Sequence, residues 1–455
     1  ATSVGGTPTG SVSFLDNATV LGTAPLSGGV AVFSISTLAT GSHPIRASYQ
    51  PGPGFLASTS AVLVQTVNTP TDSLRLRAMQ LLATPAAAQV SGQAFSGSVQ
   101  SAISEGFGGG GPLVAPNSSG IRFNFAADAD GHTQAAVPRA TAPPSSSVEG
   151  SRVPGAVRPA SASSRVTDAM SALAYAAPPV PTVATAREWF GWAEIRGAVL
   201  DRWNTSFAAP NASVLYGSQV NLLAGLTYRM MPNFLIGALG GYETFDYRSD
   251  TLLGRLRGDG WTVGAYLGWM ITNEIRFDVA AGYSGIGYNG AAGLAAGNFS
   301  GNRWLVASGL TGTYDAFGLR FEPSARVYAL WERENAYTDT LGTLQAARNF
   351  STGRASGGMK VMYPIAWTAT ATLTPYAGLY GDYYFNTDDA APVIGLAGLP
   401  GGLVFDGFSA RAVGGLSATL GGGAQVSVGF ERSGLGGDFA LWGYRAAASV
   451  PFGAQ

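Results

Sequence analysis

The sequence predicts an all-β protein whose main body is a transmembrane antiparallel barrel of about twelve strands. Three observations point there. Mean hydropathy is positive, +0.16, although the chain is rich in glycine. No apolar run reaches the length that a membrane-spanning helix needs. From Glu188 onward, apolar and polar residues alternate over long segments, as they do in strands with one face in lipid and the other in a lumen.

Residues 1–68 read as short strands, forming a partial β-sandwich. Val12 and Phe14 alternate with Ser11, Ser13 and Asp16, and Asp16-Asn17 suits a turn. Val30, Val32 and Ser34 follow, then Ile45, Ala47 and Tyr49, then Val62 and Val64. The pattern predicts half of a sandwich. The chain opens ATSVGGTPTG, without a basic or apolar leader. An outer-membrane protein needs one, so a longer precursor is expected.

Residues 69–184 are poor in aromatics and rich in Ala, Ser, Pro and Gly. Asp72 or Ser73 caps a predicted helix through Leu74, Leu76, Met79, Leu81 and Leu82, and Pro85 starts a second one towards Ile103. The pieces Gly108 to Gly111 and Ser145 to Ser147 are linker by composition. A further short helix, Val166 to Tyr175, has cap signals at Ser163-Ser164 and a stop at Pro178-Pro179.

Residues 185–455 hold the barrel. Ile275, Phe277, Val279, Ala281 and Tyr283 alternate with Glu274, Arg276, Asp278, Ala280 and Gly282. The same rhythm runs through Trp261 to Trp269, Leu319 to Trp331 and Ala424 to Glu431. Short connections at 231–233, 272–273, 315–318, 364–366 and 420–423 alternate with longer ones at 201–214, 246–255, 287–299, 333–350 and 386–402. Short periplasmic turns and long outer loops give that pattern. A soluble antiparallel sheet also alternates; segment length, strand-end aromatics and the paired turn lengths favour the membrane.

In a membrane the apolar face looks outward. Trp261, Trp269, Trp331, Trp442 and Tyr444 are then expected in the lipid-facing girdle. Glu194, Arg196, Arg229, Glu243, Glu274, Arg276, Asp278, Arg320, Glu322, Arg326, Arg354, Lys360, Arg411, Glu431 and Arg445 are expected to line the lumen, where cross-strand pairs of opposite charge hold its shape.

Several other chemistries find no support. Net charge is −1, which gives no basic field for nucleic acid. There is no Cys, and the two His, His43 and His132, both precede the barrel, so a His-dependent hydrolytic site inside it is excluded. Asp128 and Asp130 lack calcium-loop spacing, and GFGGGG at Gly106 to Gly111 lacks the strand and helix of a dinucleotide fingerprint. Glu274 and Asp278 read as lumen lining rather than an acid–base pair. Arg257-Gly258-Asp259 is an adhesion-type triplet that runs into a strand. No enzyme, cofactor or metal is expected.

The order of parts then carries a resemblance. GTPTGSVSFLDN and LATGSHPIRASY resemble bacterial Ig-like surface repeats, here lacking the strands that precede the GTPTG turn. WFGWAEIRGAVLDRWN resembles the first strand, and WGYRAAASVPF the closing strand, of the β-domain of classical autotransporters, the type V secretion family. The resemblance implies an outer-membrane translocator and anchor that exports and displays its N-terminal passenger in a Gram-negative bacterium. It implies as partners the membrane lipid, the barrel-assembly machinery and the chain's own passenger segment in the pore. Tyr444, Val450 and Phe452 correspond to the terminal assembly signal, although Gly453-Ala454-Gln455 follow where the family ends on the aromatic. The family's Asn-Asn cleavage pair is absent, so self-cleavage is not implied. The segment Ser164 to Arg187 is expected to plug the bore, with Arg165, Thr167, Asp168 and Ser171 meeting wall charges. The competing reading is a porin-like or adhesin barrel with a surface Ig-like extension.

Overall fold

Alternation from Trp189 onward folds as antiparallel strands that close on themselves. The computed structural model describes residues 6–108, 115–117, 120–122, 188–203, 213–368, 370–388 and 405–452. Near the N-terminus, β1 (Gly10–Asp16), β2 (Thr19–Pro25), β3 (Gly41–Pro51), β4 (Ser58–Thr59) and β5 (Leu63–Val67) form one sheet with β1 and β3 at its centre. The segment Val30 to Ser34, expected as a strand, makes only the single bridge of Val30 to Ser27.

Helix α1 follows at once, Thr71–Gly108. Two helices broken at Pro85 were expected; the chain instead runs through Pro85 as one helix of 38 residues. Proline inside a helix costs on the order of 3 kcal/mol because it removes an amide donor and crowds the preceding turn. Tertiary contacts override that penalty here, as the bore shows below.

The barrel consists of β6 (Trp189–Trp203), β7 (Ser213–Met231), β8 (Phe234–Ser249), β9 (Gly254–Met270), β10 (Ile275–Ala292), β11 (Ala295–Gly312), β12 (Leu319–Glu334), β13 (Arg348–Met362), β14 (Ala371–Asp388), β15 (Gly407–Thr419), β16 (Gln425–Leu435) and β17 (Phe439–Phe452). Two short pieces, Tyr314–Ala316 and Ile365–Thr368, prolong β11 and β13 past a break. Each strand pairs with its sequence neighbour, and β17 pairs with β6 from Phe439↔Arg202 to Phe452↔Trp189, which closes the ring of twelve. Closure removes every sheet edge, the requirement for spanning lipid with strands.

Strand ends depart from the sequence reading. Most of 246–255 and 287–299 is strand, so β8 and β9 are joined by residues 250–253, and β10 and β11 by Gly293-Leu294 alone. The loop at 333–350 carries its own hairpin, Tyr337–Thr338 against Leu344–Gln345. The turn expected at 364–366 sits later, because Ile365 still pairs with Leu373. Polar residues at strand ends (Asn289, Asn298, Arg248) read as loop although the backbone ladder continues through them.

Outward side chains fall into aromatic rows. Trp261, Trp269, Trp331, Trp442 and Tyr444 are all exposed on the outer surface. Trp261 and Trp269 are eight positions apart on β9, about 26 Å along the strand. Trp189, Phe452, Phe234, Trp269 and Phe277 belong to the turn end of the wall; Trp261, Tyr283, Trp304 and Trp331 lie towards the loops.

Candidate functional site

The bore is filled by α1. From Ala78 to Ser104 the helix carries no ionisable side chain and is built largely of Ala, Ser, Gly and Gln. Such a helix is slim, and its neutral polar groups can bond a charged wall without leaving a buried charge unpaired.

The polar contacts climb the whole helix. Gln80 Nε2 donates to Glu334 at 2.6 Å, and Arg348 Nη1 donates to Thr84 Oγ1 at 2.9 Å. Tyr328 OH donates to Gln89 Oε1 at 2.8 Å, while Gln89 Nε2 donates to Thr352 and to the Gly353 carbonyl. Ser91 donates to Glu243 and Gln93 to Glu431. Arg326 reaches Ser96, Arg445 donates to Ser101 Oγ at 2.9 Å, and Arg229 donates to the Gly106 carbonyl.

Pro85 explains one wall residue. Its ring nitrogen has no hydrogen for the Leu81 carbonyl, the i−4 acceptor. Arg348 Nη2 approaches that carbonyl at 3.5 Å, and its Nη1 lies 3.4 Å from the Gln80 carbonyl. The wall thus supplies the donor that the helix lacks.

Apolar packing supplies register. Met79, Leu82 and Val90 join Leu200, Phe245, Tyr288, Phe405 and Phe439 in a cluster at the loop end. Phe95, Val99, Ile103 and Phe107 join Leu235, Tyr266, Leu305 and Tyr328 nearer the turns. Phe95 sits over wall Gly264 and Gly282, where an added Cβ would lie 2.9 and 2.8 Å from its ring. Conversely Gly97 leaves room for Arg196, whose guanidinium would meet a Cβ there at 2.6 Å.

Behind these contacts the wall is an ion-pair network. Arg303 lies between Glu243 (3.1 Å) and Glu332 (2.9 Å), all three almost wholly buried. Arg348 faces Glu334 and Asp388. Arg326 pairs with Asp278 at 2.7 Å, Lys360 with Glu322 at 2.6 Å, and Asp382 holds Arg411 at 2.9 Å with Arg354 at 3.6 Å. Glu194 pairs with Arg196 and Arg320 with Asp315. Pairing with opposite charge is what allows these groups to stay this far from water, although Asp278 Oδ2, Arg326 Nε and Arg354 Nε have no hydrogen-bond partner among the described residues.

Of the residues singled out in the sequence, Glu194, Arg229, Arg276, Asp278, Arg320, Glu322 and Arg411 are buried, and Arg196, Arg326, Lys360, Glu431 and Arg445 are half-buried. Glu274 stands in the exposed turn after β9 and borders the mouth of the cavity described next. Sequence reasoning missed Arg303, Glu332, Glu334, Arg348 and Asp382. Glu332, Glu334 and Arg348 lay in or beside the segment 333–350 taken for a loop; Arg303 and Asp382 were legible, since they stand next to outward Trp304 and Tyr383 in the alternation.

The helix leans on β6 to β13, and a cavity of about 630 Å³ opens at the turn end between it and the rest of the wall. Ser104, Glu105, Arg276, Arg326, Lys360 and Tyr376 are among its lining residues. The segment Ser164 to Arg187, expected to plug the bore, lies outside the described residues.

Polarity of threading is set by the helix ends. Asp72 accepts from the Leu294 amide and lies against Gly293, whose positive φ (56°) makes the tight β10–β11 connection. Gln345 donates to the Ser73 carbonyl and Arg77 to that of Ala346. The first turn is therefore at the loop end. Gly106 meets Arg229 and Leu235 at the turn end.

The family model for the autotransporter β-domain matches residues 191–440, more than half of the chain. A bacterial Ig-like domain model (group 3) matches residues 1–68. No curated protein matches. Among solved structures, the chain is similar to the translocator domain of the autotransporter NalP from Neisseria meningitidis, at 12% identity and TM-score 0.48, covering 64% of this chain and 97% of that one. It is also similar to the β-domain of the Bordetella autotransporter BrkA (16%, TM-score 0.45, 58% and 100% covered). A further likeness is to the transport unit of AIDA-I from Escherichia coli (12%, TM-score 0.41, 64% and 98% covered).

Proposed function

This chain belongs to the autotransporter family, and from that premise we propose that its loop end faces the outside of the cell and carries the N-terminal region there. The barrel is an outer-membrane translocator for passenger export, with a passenger-derived segment traversing it. One observation carries the orientation. Helix α1 enters at the loop end and leaves at the turn end, and only residues 68–70 separate it from the Ig-like sheet. That sheet belongs at the loop end, as in a chain exported through the bore and left threaded in it.

The translocation unit on this reading includes Thr71–Gly108 along with the barrel, so the connector 69–184 is divided between a plug and the stretch that leads to β6. The remaining boundaries are residues 1–68 for the surface module and 185–455 for the barrel. The inward ions Glu194, Arg196, Arg229, Arg276, Asp278, Arg320, Glu322, Arg326, Lys360, Arg411, Glu431 and Arg445 serve as a polar cradle for the helix, with Glu274 at its mouth, and have no catalytic task. Trp261, Trp269, Trp331, Trp442 and Tyr444 seat the barrel in lipid. Tyr444, Val450 and Phe452, all outward on β17, present the assembly machinery with its terminal signal. A filled bore favours this reading over a porin-like channel.

Protease accessibility on intact cells tests it. Tags between Val67 and Thr71, or in the 335–347 loop, are expected to be cleaved, and tags at Asn273 or Gly422 to be protected. Protection of the first pair with cleavage of the second reverses the topology.

A further inference from the structure

Packing around the helix leaves one feature of the outer surface unexplained. Across β10 to β14 an outward register row runs Tyr283–Trp304–Trp331–Ser351–Thr387. The next outward row towards the loops runs Gly285–Asn302–Arg333–Asn349. Together they line a shallow open groove in which Trp304 is 62% and Trp331 51% exposed. Among the outward arginines of β8 to β13, Arg333 stands apart. Arg248, Arg255 and Arg257 share the carboxylate of Asp246. The strand neighbours of Arg333, Glu332 and Glu334, point inward and are held by Arg303 and Arg348. Among the described residues no carboxylate forms an ion pair with Arg333.

We propose that this groove binds the phosphorylated saccharide headgroup of an outer-leaflet glycolipid. Its height fits, because aromatic rows sit at the headgroup level of a bilayer, and the guanidinium row stands immediately on the loop side of that level. Its chemistry fits as well. Exposed indole faces pack against the C–H faces of sugar rings, side-chain amides match hydroxyls as both donors and acceptors, and a guanidinium takes a phosphate through two parallel bonds. The acyl chains of such a lipid would run along the apolar wall below, past Val306 and Leu310, both exposed. The proposal rests on the loop end facing outside, but its test does not, because vesicles present the lipid to both rims of the barrel.

The full chain is folded into phosphatidylethanolamine vesicles with or without lipid A, extracted in mild detergent, and assayed for lipid A retained per barrel. Wild type is expected to retain it. Arg333→Gln is expected to retain roughly tenfold less, the scale of one charge-assisted contact, while Arg257→Gln, at a position already served by Asp246, stays at the wild-type level. Dephosphorylated lipid A should bind wild type as weakly as lipid A binds R333Q, and inorganic phosphate should not compete. Heat-modifiable migration of each variant confirms that its barrel has formed. Equal retention by wild type and R333Q, an equal loss in R257Q, or displacement by free phosphate would each overturn the assignment. Passenger display by R333Q cells is expected to be normal, so loss of lipid binding and loss of export are separate readouts.

Discussion

Arg348 of β13 lies 3.5 Å from the Leu81 carbonyl, the acceptor that Pro85 leaves without an amide four residues on. The same side chain bonds Thr84 and faces Glu334. Arg348→Ala therefore leaves a carbonyl, a hydroxyl and a buried carboxylate short of a partner at once. Removing one member of a buried pair costs about 3–5 kcal/mol, and a loss of that size is expected in urea unfolding from vesicles. Pro85→Ala restores the intrahelical donor, so R348A should cost less in the P85A background. A coupling on the order of 1 kcal/mol is expected; strict additivity would show that Arg348 does not serve the Pro85 gap.

Deleting residues 71–108 is expected to turn a nearly closed barrel into a conducting one. The helix runs from the loops to the turns, and the residual cavity opens at the turn end while an apolar cluster closes the other. Single-channel recording of the full chain and of the deletion decides. Equal conductance would show that α1 is no plug. Deleting 160–184, which the sequence marked as the plug, leaves α1 in place and is expected to leave conductance low.

The barrel was legible in the sequence because alternation survives any detail of loop geometry: one misplaced residue shifts a turn, and a period of two still marks the strand. Residues such as Val279, Arg276 and Trp331 could be given faces from parity alone. Thr71–Gly108 was not singled out as the helix of the bore, for an equally physical reason. Short helices near Leu74 and Val166 have similar cap signals, and Pro85 reads as a break. Only the wall shows that Thr71–Gly108 has Arg348 to relieve Pro85 and Gly264 and Gly282 to admit Phe95. Those partners lie more than 150 residues away, where no local pattern reaches.

Phe95 and its glycine seat give a steric test. A Cβ on Gly282 would come within 2.8 Å of the Phe95 ring. Gly282→Val is expected to destabilise the docked helix by about 1–3 kcal/mol, the range for overpacking, and to raise basal conductance. Phe95→Ala in the same chain should recover part of the loss. Unchanged stability in G282V would mean that the helix does not sit as described.

Facing sets the cost of a charge in the wall. Ala265 is exposed on β9, four positions from Trp261 on one side and from Trp269 on the other. Ala265→Arg is expected to cost roughly 2–4 kcal/mol at the bilayer midplane. Ser427 points inward and borders the cavity, so Ser427→Arg should cost clearly less. Ala280, inward by sequence parity, is a poorer comparison because it packs in the cluster around Phe95. Equal losses in A265R and S427R, read by urea titration in vesicles, would invert the assignment of faces.

The Ig-like sheet should lose stability as pH rises. His43 on β3 bonds the Asp16 carboxylate at 2.7 Å and the Ala39 carbonyl at 2.7 Å. The Asp16 contact foremost, then the Ala39 carbonyl, holds the ring's pKa above its ordinary value. For a group whose folded pKa is raised, the stabilisation is complete below the unfolded value, near 6.5, and disappears as pH climbs through the folded value. Limited proteolysis between residues 6 and 67 should therefore run faster at pH 8 than at pH 6. His43→Gln keeps a polar side chain but cannot take up the proton, and should flatten that difference. A wild-type cleavage rate equal at the two pH values, once the protease's own pH dependence is divided out on the H43Q chain, would show that the His43–Asp16 bond contributes no proton-linked stability.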